Sequence, residues 1–270
     1  MSMMNVHDAV SPFAGSPIAS PGGLIPDGMY PSGYTQKLIR DAIVVSHGST
    51  MRYFDEMLMS HRTLYQWAAS HPEARQMLGR HIAYAAPLPS VEATVVVRHS
   101  HHGGLFAPLT RDVFREPRAP TELRVSWTLR HVGIPTPRVL GYALYPTLHG
   151  QLWRADVVTR EITDGADLAT VLRSEGEVYD HARTIEATIV LLRRLARTWA
   201  YHPDLNVKNV LIAPDDDGEP MAYVLDVDTL RFAEKNAEWM NVARLVRSAR
   251  KWLSADGAPG FATLIESLGG

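Results

Sequence analysis

The stretch from Ala182 to Asp228 constrains the fold of this chain more than any other. It opens with "ARTIEATIVLLRRLARTWAY", in which Ile185, Ile189, Leu192, Ala196 and Trp199 recur at helical spacing and mark one apolar face. The helix runs into "HPDLNVKN", where His202, Asp204, Asn206 and Asn209 stand directly ahead of the apolar run "VLI". Two strand-like segments follow, "NVLIA" and "MAYVLDV", around the acidic Pro/Gly turn "PDDDGEP". That pattern predicts a β-hairpin. The hairpin returns the chain to the loop, so Asp226 comes back beside Asp204 and Asn209. Two carboxylates and an amide are thereby expected to converge.

Phosphoryl transfer needs such a set. One carboxylate accepts the proton of the acceptor hydroxyl and orients it. The amide oxygen and the other carboxylate hold Mg2+ on the nucleotide phosphates. The offset from Asp204 to Asn209 is that of the protein-kinase catalytic loop, and the strand ending in "LDVD" corresponds to its metal-binding strand. The loop motif alone is a weak signal. With an amphipathic helix before it and a hairpin after it, the signal is fairly strong. The plainer alternative is that Asp204 and Asn209 only cap turns.

The rest of the chain supplies a frame for that centre. "QKLIRDAIVVSH" reads as an early strand, and "FDEMLMSHRTLYQWAASHPEARQML" as helix interrupted at His71-Pro72. "SVEATVVVRHS" is a strand closed by the turn "HHGG". A helix begins at Ala119, with Pro120 in its first turn and Gly133 as its stop. "IPTPRVLGYALYP" and "GQLWRADVVTREI" are strand-like, and helices dominate after Thr163-Asp164-Gly165. The expected fold is α+β with two lobes, a strand-rich N-lobe over residues 34–163 and a helical, catalytic C-lobe over 164–270. Residues 1–33, rich in Pro, Gly, Ser and Ala, are expected to form a flexible arm. A nucleotide-binding N-lobe needs a strand cation, a helix carboxylate paired with it and a turn over the phosphates. Arg98, Glu122 and Gly79 stand where those would be.

Composition removes several classes. There are no cysteines among the 270 residues, so disulfides and thiolate metal sites are excluded. A formal net charge of −2 gives no global reason to expect nucleic acid as a partner. No apolar run is long enough to span a bilayer, and the N-terminus lacks a signal-peptide pattern. His99, His101 and His102 invite a metal reading, but neighbours on a strand face opposite ways and no acidic cluster completes a set. A turn closing a hairpin is the better account. "DDDG" from Asp215 lacks the distal Glu of a calcium loop and reads as a solvated turn. Arg111, Arg115, Arg118 and Arg124 form either a charged surface or an anion patch. The basic helix "RLVRSARKW" could lie on anionic lipid.

The runs "VVVRHSHHGGLFAPLTRDVFREP", "ELRVSWTLRHVGIPTPRVLGYAL", "RADVVTREITDGADLATVL", "HPDLNVKNVLI", "LDVD" and "RLVRSARKW", in that order, resemble the Kdo (3-deoxy-D-manno-octulosonic acid) kinase family of lipopolysaccharide core kinases. The resemblance spans roughly residues 79–252. It implies a protein-kinase-like fold, ATP with Mg2+ as cofactors, and phosphorylation of the Kdo 4-hydroxyl of Kdo-lipid A. It also implies a cytoplasmic place, in peripheral contact with the inner membrane of a Gram-negative bacterium. By the same resemblance Asp204 matches the catalytic aspartate, Asn209 the metal asparagine, Asp226 the metal aspartate of "DVD" with Asp228 its second carboxylate, and Glu122 the helix glutamate. Arg98 falls where protein kinases carry lysine. The family's "GRG" turn reads "GRH" here, from Gly79. Two other readings stand beside this one: a kinase for a heptose or another small sugar, and a nucleotide-binding pseudokinase acting as a partner module.

Overall fold

A computed structural model of the chain describes residues 30–78, 82–88, 93–100, 113–148, 151–176, 178–254 and 257–269. The first part of the chain is built on one sheet. Strands β1 (Tyr34–Ile39) and β2 (Ala42–His47) form a hairpin with Ile39 opposite Ala42. The single early strand read from the sequence is therefore two, because Arg40 adopts a left-handed φ of 55° and turns the chain. Strands β3 (Arg75–Leu78), β4 (Ile82–Pro87), β5 (Thr94–His99), β6 (Val139–Thr147) and β7 (Leu152–Arg160) complete seven in the order β1-β2-β6-β7-β5-β4-β3. All neighbours are antiparallel.

Side chains on successive strand residues face opposite ways, and each face of this sheet is covered. On one face, helices α1 (Met51–Ser60) and α2 (Leu64–Ser70) bury Phe54, Met57, Leu58 and Leu64 against Val44, Val97, Ala143 and Val158. Burial of each such side chain contributes about 1.5–3 kcal/mol. On the other face, helix α3 (Ala119–His131) packs Ala119 and Leu123 against Val45, Tyr142, Leu144 and Val157. The pairing of β2 with β6 is close. A Cβ on Gly141 would lie 2.5 Å from the Val45 carbonyl oxygen, so only glycine fits there.

The sequence suggested helix through Leu78, but the chain leaves it twice. At His61 it turns extended, and Thr63 then caps α2 by accepting from the Gln66 amide at 3.0 Å. The Leu64 amide donates to the Tyr145 hydroxyl at 2.8 Å, and the Tyr65 amide to the buried Asp156 at 2.9 Å. Both are helix-start donors that would otherwise lack partners. Beyond Pro72, Arg75–Leu78 pairs with β4, so strand pairing overrides local helix propensity.

The second part is mainly helical. A small sheet of β8 (Ala166–Asp167), β9 (Val210–Pro214) and β10 (Pro220–Val224), ordered β10-β9-β8, is packed by α4 (Leu168–Arg173), α5 (His181–Arg197), α6 (Ala237–Leu253) and α7 (Phe261–Ser267). Asp167 and Asp180 cap α4 and α5 by accepting the Thr170 and Arg183 amides, both at 2.9 Å. Its core holds Leu168, Leu172, Leu191, Leu195, Leu245 and Leu253. Val125 and Leu129 of α3 belong to that core as well, while Ala119 and Leu123 belong to the core of the large sheet. Helix α3 thus ties the two lobes together. Among the described residues no helix is long and apolar enough to cross a membrane.

Candidate active site

The centre read from the sequence lies where α5 gives way to the β9–β10 hairpin. After α5 the chain reverses through Trp199 at φ 55°, and Tyr201 pairs with Arg231 through two backbone hydrogen bonds of 2.8 Å. His202 follows, fully buried. The Asp204 amide donates to its Nδ1 at 3.1 Å, which puts the ring proton on Nε2. Nε2 then donates to the Leu225 carbonyl at 2.9 Å. One imidazole therefore fastens the loop carrying Asp204 to the residue before Asp226. The His202 amide donates to Asn241 Oδ1 on α6 at 3.0 Å, which anchors the assembly to the helical core.

The loop's asparagines hold it from inside. Asn206 Oδ1 accepts the Lys208 and Asn209 amides, and Asn206 Nδ2 donates to the Asp204 carbonyl. Asn209 Nδ2 donates to the same carbonyl at 3.0 Å. Asn209 Oδ1 has no hydrogen-bond partner among the described residues. The Leu225 amide donates to the Asn209 carbonyl at 2.9 Å, which brings the end of β10 to the start of β9. Asp226 then takes a left-handed backbone, φ 52° and ψ 48°, and leads into a 3-10 turn over Val227–Thr229. Aspartate tolerates that region better than most residues. The Asp204 and Asp226 side chains are exposed, and neither carboxylate has a hydrogen bond or ion pair among the described residues.

The strand cation and the helix carboxylate meet as expected. Arg98 on β5 is ion-paired with the buried Glu122 on α3. Burial opposes the charge on Arg98, but Glu122, Asp226 and Asp228 together outweigh it and hold its pKa above the ordinary arginine value. Burial pushes the Glu122 carboxyl up, Arg98 pulls it back, and Asp228 and Asp226 push it further. Both "DVD" carboxylates therefore act electrostatically on the pair. Asp228 itself accepts from Arg118 Nη1 at 3.2 Å, a contact running from the start of α3 to the 3-10 turn.

That ion pair gives Arg118 a partner the sequence did not suggest. Asp156 was missed as well. It is fully buried and holds His99, the Tyr145 hydroxyl at 2.9 Å and the start of α2. No short-range pattern marks it. His202 did carry a signal, standing two residues ahead of Asp204, but its role as a bridge did not show. Gly79, His101, His102 and Arg111 lie outside the described residues. Asp215 closes its turn by accepting the Asp217 and Glu219 amides. No group of three or more His, Asp and Glu side chains among the described residues could hold a metal by itself. The Asn209 and Asp226 oxygens instead suit a hard cation that brings further oxygen ligands with it.

A strand-rich lobe carrying Arg98 and Glu122, set on a helical lobe carrying Asp204, Asn209 and Asp226, defines a two-lobed, protein-kinase-like phosphotransferase. The chain belongs to the lipopolysaccharide kinase (Kdo/WaaP) family, whose sequence model matches residues 66–259. Among curated proteins it is similar to 3-deoxy-D-manno-octulosonic acid kinase of Vibrio vulnificus, 27% identical over 192 residues, covering 68% of this chain and 76% of that one. The protein of the same description from Haemophilus influenzae is 27% identical over 161 residues, covering 58% and 64%. A solved structure, WaaP in complex with acyl carrier protein, overlaps with a TM-score of 0.49 at 14% identity, covering 83% of this chain and 88% of that chain.

Proposed function

We propose that this chain transfers the γ-phosphoryl group of ATP, taken up with Mg2+, to the 4-hydroxyl of Kdo on a lipid A precursor. Asp204 receives and orients the hydroxyl proton as the new P–O bond forms and the bond to ADP breaks. Asn209 Oδ1 and the Asp226 carboxylate hold Mg2+, which neutralises charge on the phosphate oxygens when bound. Arg98, fixed by Glu122, steadies the phosphates, and its planar fork can engage two oxygens where a lysine would engage one. Gly79 is assigned to the turn over the phosphates, in the N-lobe of residues 34–163, with residues 164–270 carrying the catalytic loop. The site works at the cytoplasmic face of the inner membrane, in peripheral contact with it.

One observation carries this reading: a buried imidazole joins the Asp204 loop to Leu225, so a free carboxylate, a free amide oxygen and a second free carboxylate are held by one rigid backbone link. The description of the relatives as Kdo kinases supports the acceptor. The purified protein incubated with Mg-ATP and Kdo-lipid IVA should add one phosphate to the lipid by mass spectrometry, and Asp204→Asn should slow that addition by a factor on the order of 10² or more. Phosphate appearing only on a heptosylated acceptor would overturn the Kdo assignment and leave the chemistry standing.

A further inference from the structure

Outside the catalytic cleft, a cavity of about 310 Å³ opens between the last turn of α3, the start of β6 and the β1–β2 hairpin. That volume is at the lower end of pockets that hold small molecules, about 300–1,000 Å³. Its walls carry Arg130 and His131 from α3, Arg138 just ahead of β6, His47 at the end of β2, Tyr34 and Trp127. Glu122, Ser126 and Arg130 follow at four-residue spacing along one side of α3. The cavity therefore lies about 12 Å along the helix from the Arg98–Glu122 pair.

Four of these residues are cationic or can become so, and no carboxylate answers them. Among the described residues the ion pairs join other side chains, and none includes Arg130, Arg138, His47 or His131. Arg130 spends one bond on the Thr136 carbonyl, at 3.1 Å. Its pKa is lowered by desolvation and then by Arg138, with Arg160 adding to the effect and the Tyr34 and Tyr223 phenols opposing it. His47 is likewise held down by burial and by Arg138. The rings are braced from outside, His131 stacked on Trp127 at 5.0 Å and His47 edge-on to Tyr34 at 5.5 Å. The end of a helix favours cations, which accounts for Arg130 and His131. It does not account for Arg138 and His47, which come from other elements into the same space. Like charges gathered in a partly desolvated hollow oppose folding unless something compensates them.

We propose that this cavity is a second anion site, which takes a phosphate group. Guanidinium groups bind phosphate oxygens with two parallel bonds, and the neighbouring ring N–H groups add donors. The inference does not depend on the catalytic reading. The phosphate comes either as a free ion or small ester, or as the head of a phosphorylated lipid, and two measurements separate these sources. In EDTA at constant ionic strength, inorganic phosphate should raise the Tm of the wild type by a few degrees. It should leave Arg138→Gln unmoved. If free phosphate has no effect but phosphatidylcholine vesicles doped with phosphatidic acid pull down the wild type and not Arg138→Gln, the site takes a lipid-borne phosphate. In phosphate-free, low-salt buffer, Arg138→Gln should melt close to the wild type, because relief of its repulsion with Arg130 offsets the bond it gives up to the Tyr34 hydroxyl. If Arg138→Gln does not fold, Arg130→Gln makes the same comparisons from the cavity rim. Equal responses of wild type and variant in both the phosphate and the vesicle arms, or no response in either, would overturn the proposal.

Discussion

The two ends of α3 handle charge in opposite ways. At its start, Arg118 and Glu122 alternate in sign with Arg98, Asp226 and Asp228, and each charge has an opposite neighbour. At its end, Arg130 and Arg138 share one sign around an open cavity, with the His47 and His131 rings beside them. The first arrangement fixes positions. A desolvated ion pair adds little net stability, because leaving water offsets most of the attraction. What it contributes is geometry, here the register between a strand, a helix and the "DVD" turn. The second arrangement has no carboxylate partner among the described residues and leaves room for an external anion. Because α3 is packed into both cores, either end can bear on the other through a rigid element.

The comparison can be broken most forcefully at the matched end. Asp204→Asn should lower turnover by a factor on the order of 10² or more while leaving ATP affinity nearly unchanged. Asp226→Asn should weaken Mg-ATP binding as well, measured by titration calorimetry. Wild-type rates in both variants would remove that end from catalysis. Glu122→Ala should cost about 1–3 kcal/mol by denaturant unfolding, since it leaves the Arg98 fork without an acceptor. The pH dependence has a definite sign. Folding raises the Glu122 pKa above 4.5, so the folded state holds that proton more tightly. The resulting contribution is fully present below the ordinary carboxyl range and is lost as pH rises through the raised value. The Tm of the wild type should decline across that window relative to Glu122→Gln. The smallest effect is expected for Arg118→Gln. Its guanidinium is 52% exposed, so the ion pair with Asp228 is worth about 0–1 kcal/mol, a shift in Tm of a few degrees at most. A larger loss would mean that Arg118 holds the lobes together.

What could be read in advance was whatever short-range pattern encodes. The apolar face of α5, the loop polarity and the two strands around "PDDDGEP" all lie within one stretch, and the hairpin alone returns Asp226 to Asp204 and Asn209. The meeting of Arg98 with Glu122 needed only a strand followed by a helix. Contacts that join distant segments left no such trace. Arg118 and Asp228 are 110 positions apart, and the arginines around Arg118 looked like a surface patch. Asp156 sits in an apolar strand, and its partners come from α2, β5 and β6. The cationic cavity draws on four elements, none remarkable alone in the sequence. Strand β3 was hidden for a related reason, since "RQML" becomes a strand only because β4 lies beside it.

The β1–β2 hairpin also sets how the edge of the large sheet is guarded. The family match begins at Gln66, after the hairpin and α1. Yet β2 pairs along β6 from Leu144 to Gly141, and β6 is buried from Val139 to Tyr145. The outermost strands are poor templates for another chain. β1 carries Lys37, paired with Asp55, along with Thr35 and Gln36, and β3 has four residues, starting with Arg75. A protein trimmed to the limits of the family match would exchange that guarded border for the bare, apolar flank of β6, and would tend to add strands from its own copies. The hairpin thus closes the β6 edge of the family domain it precedes.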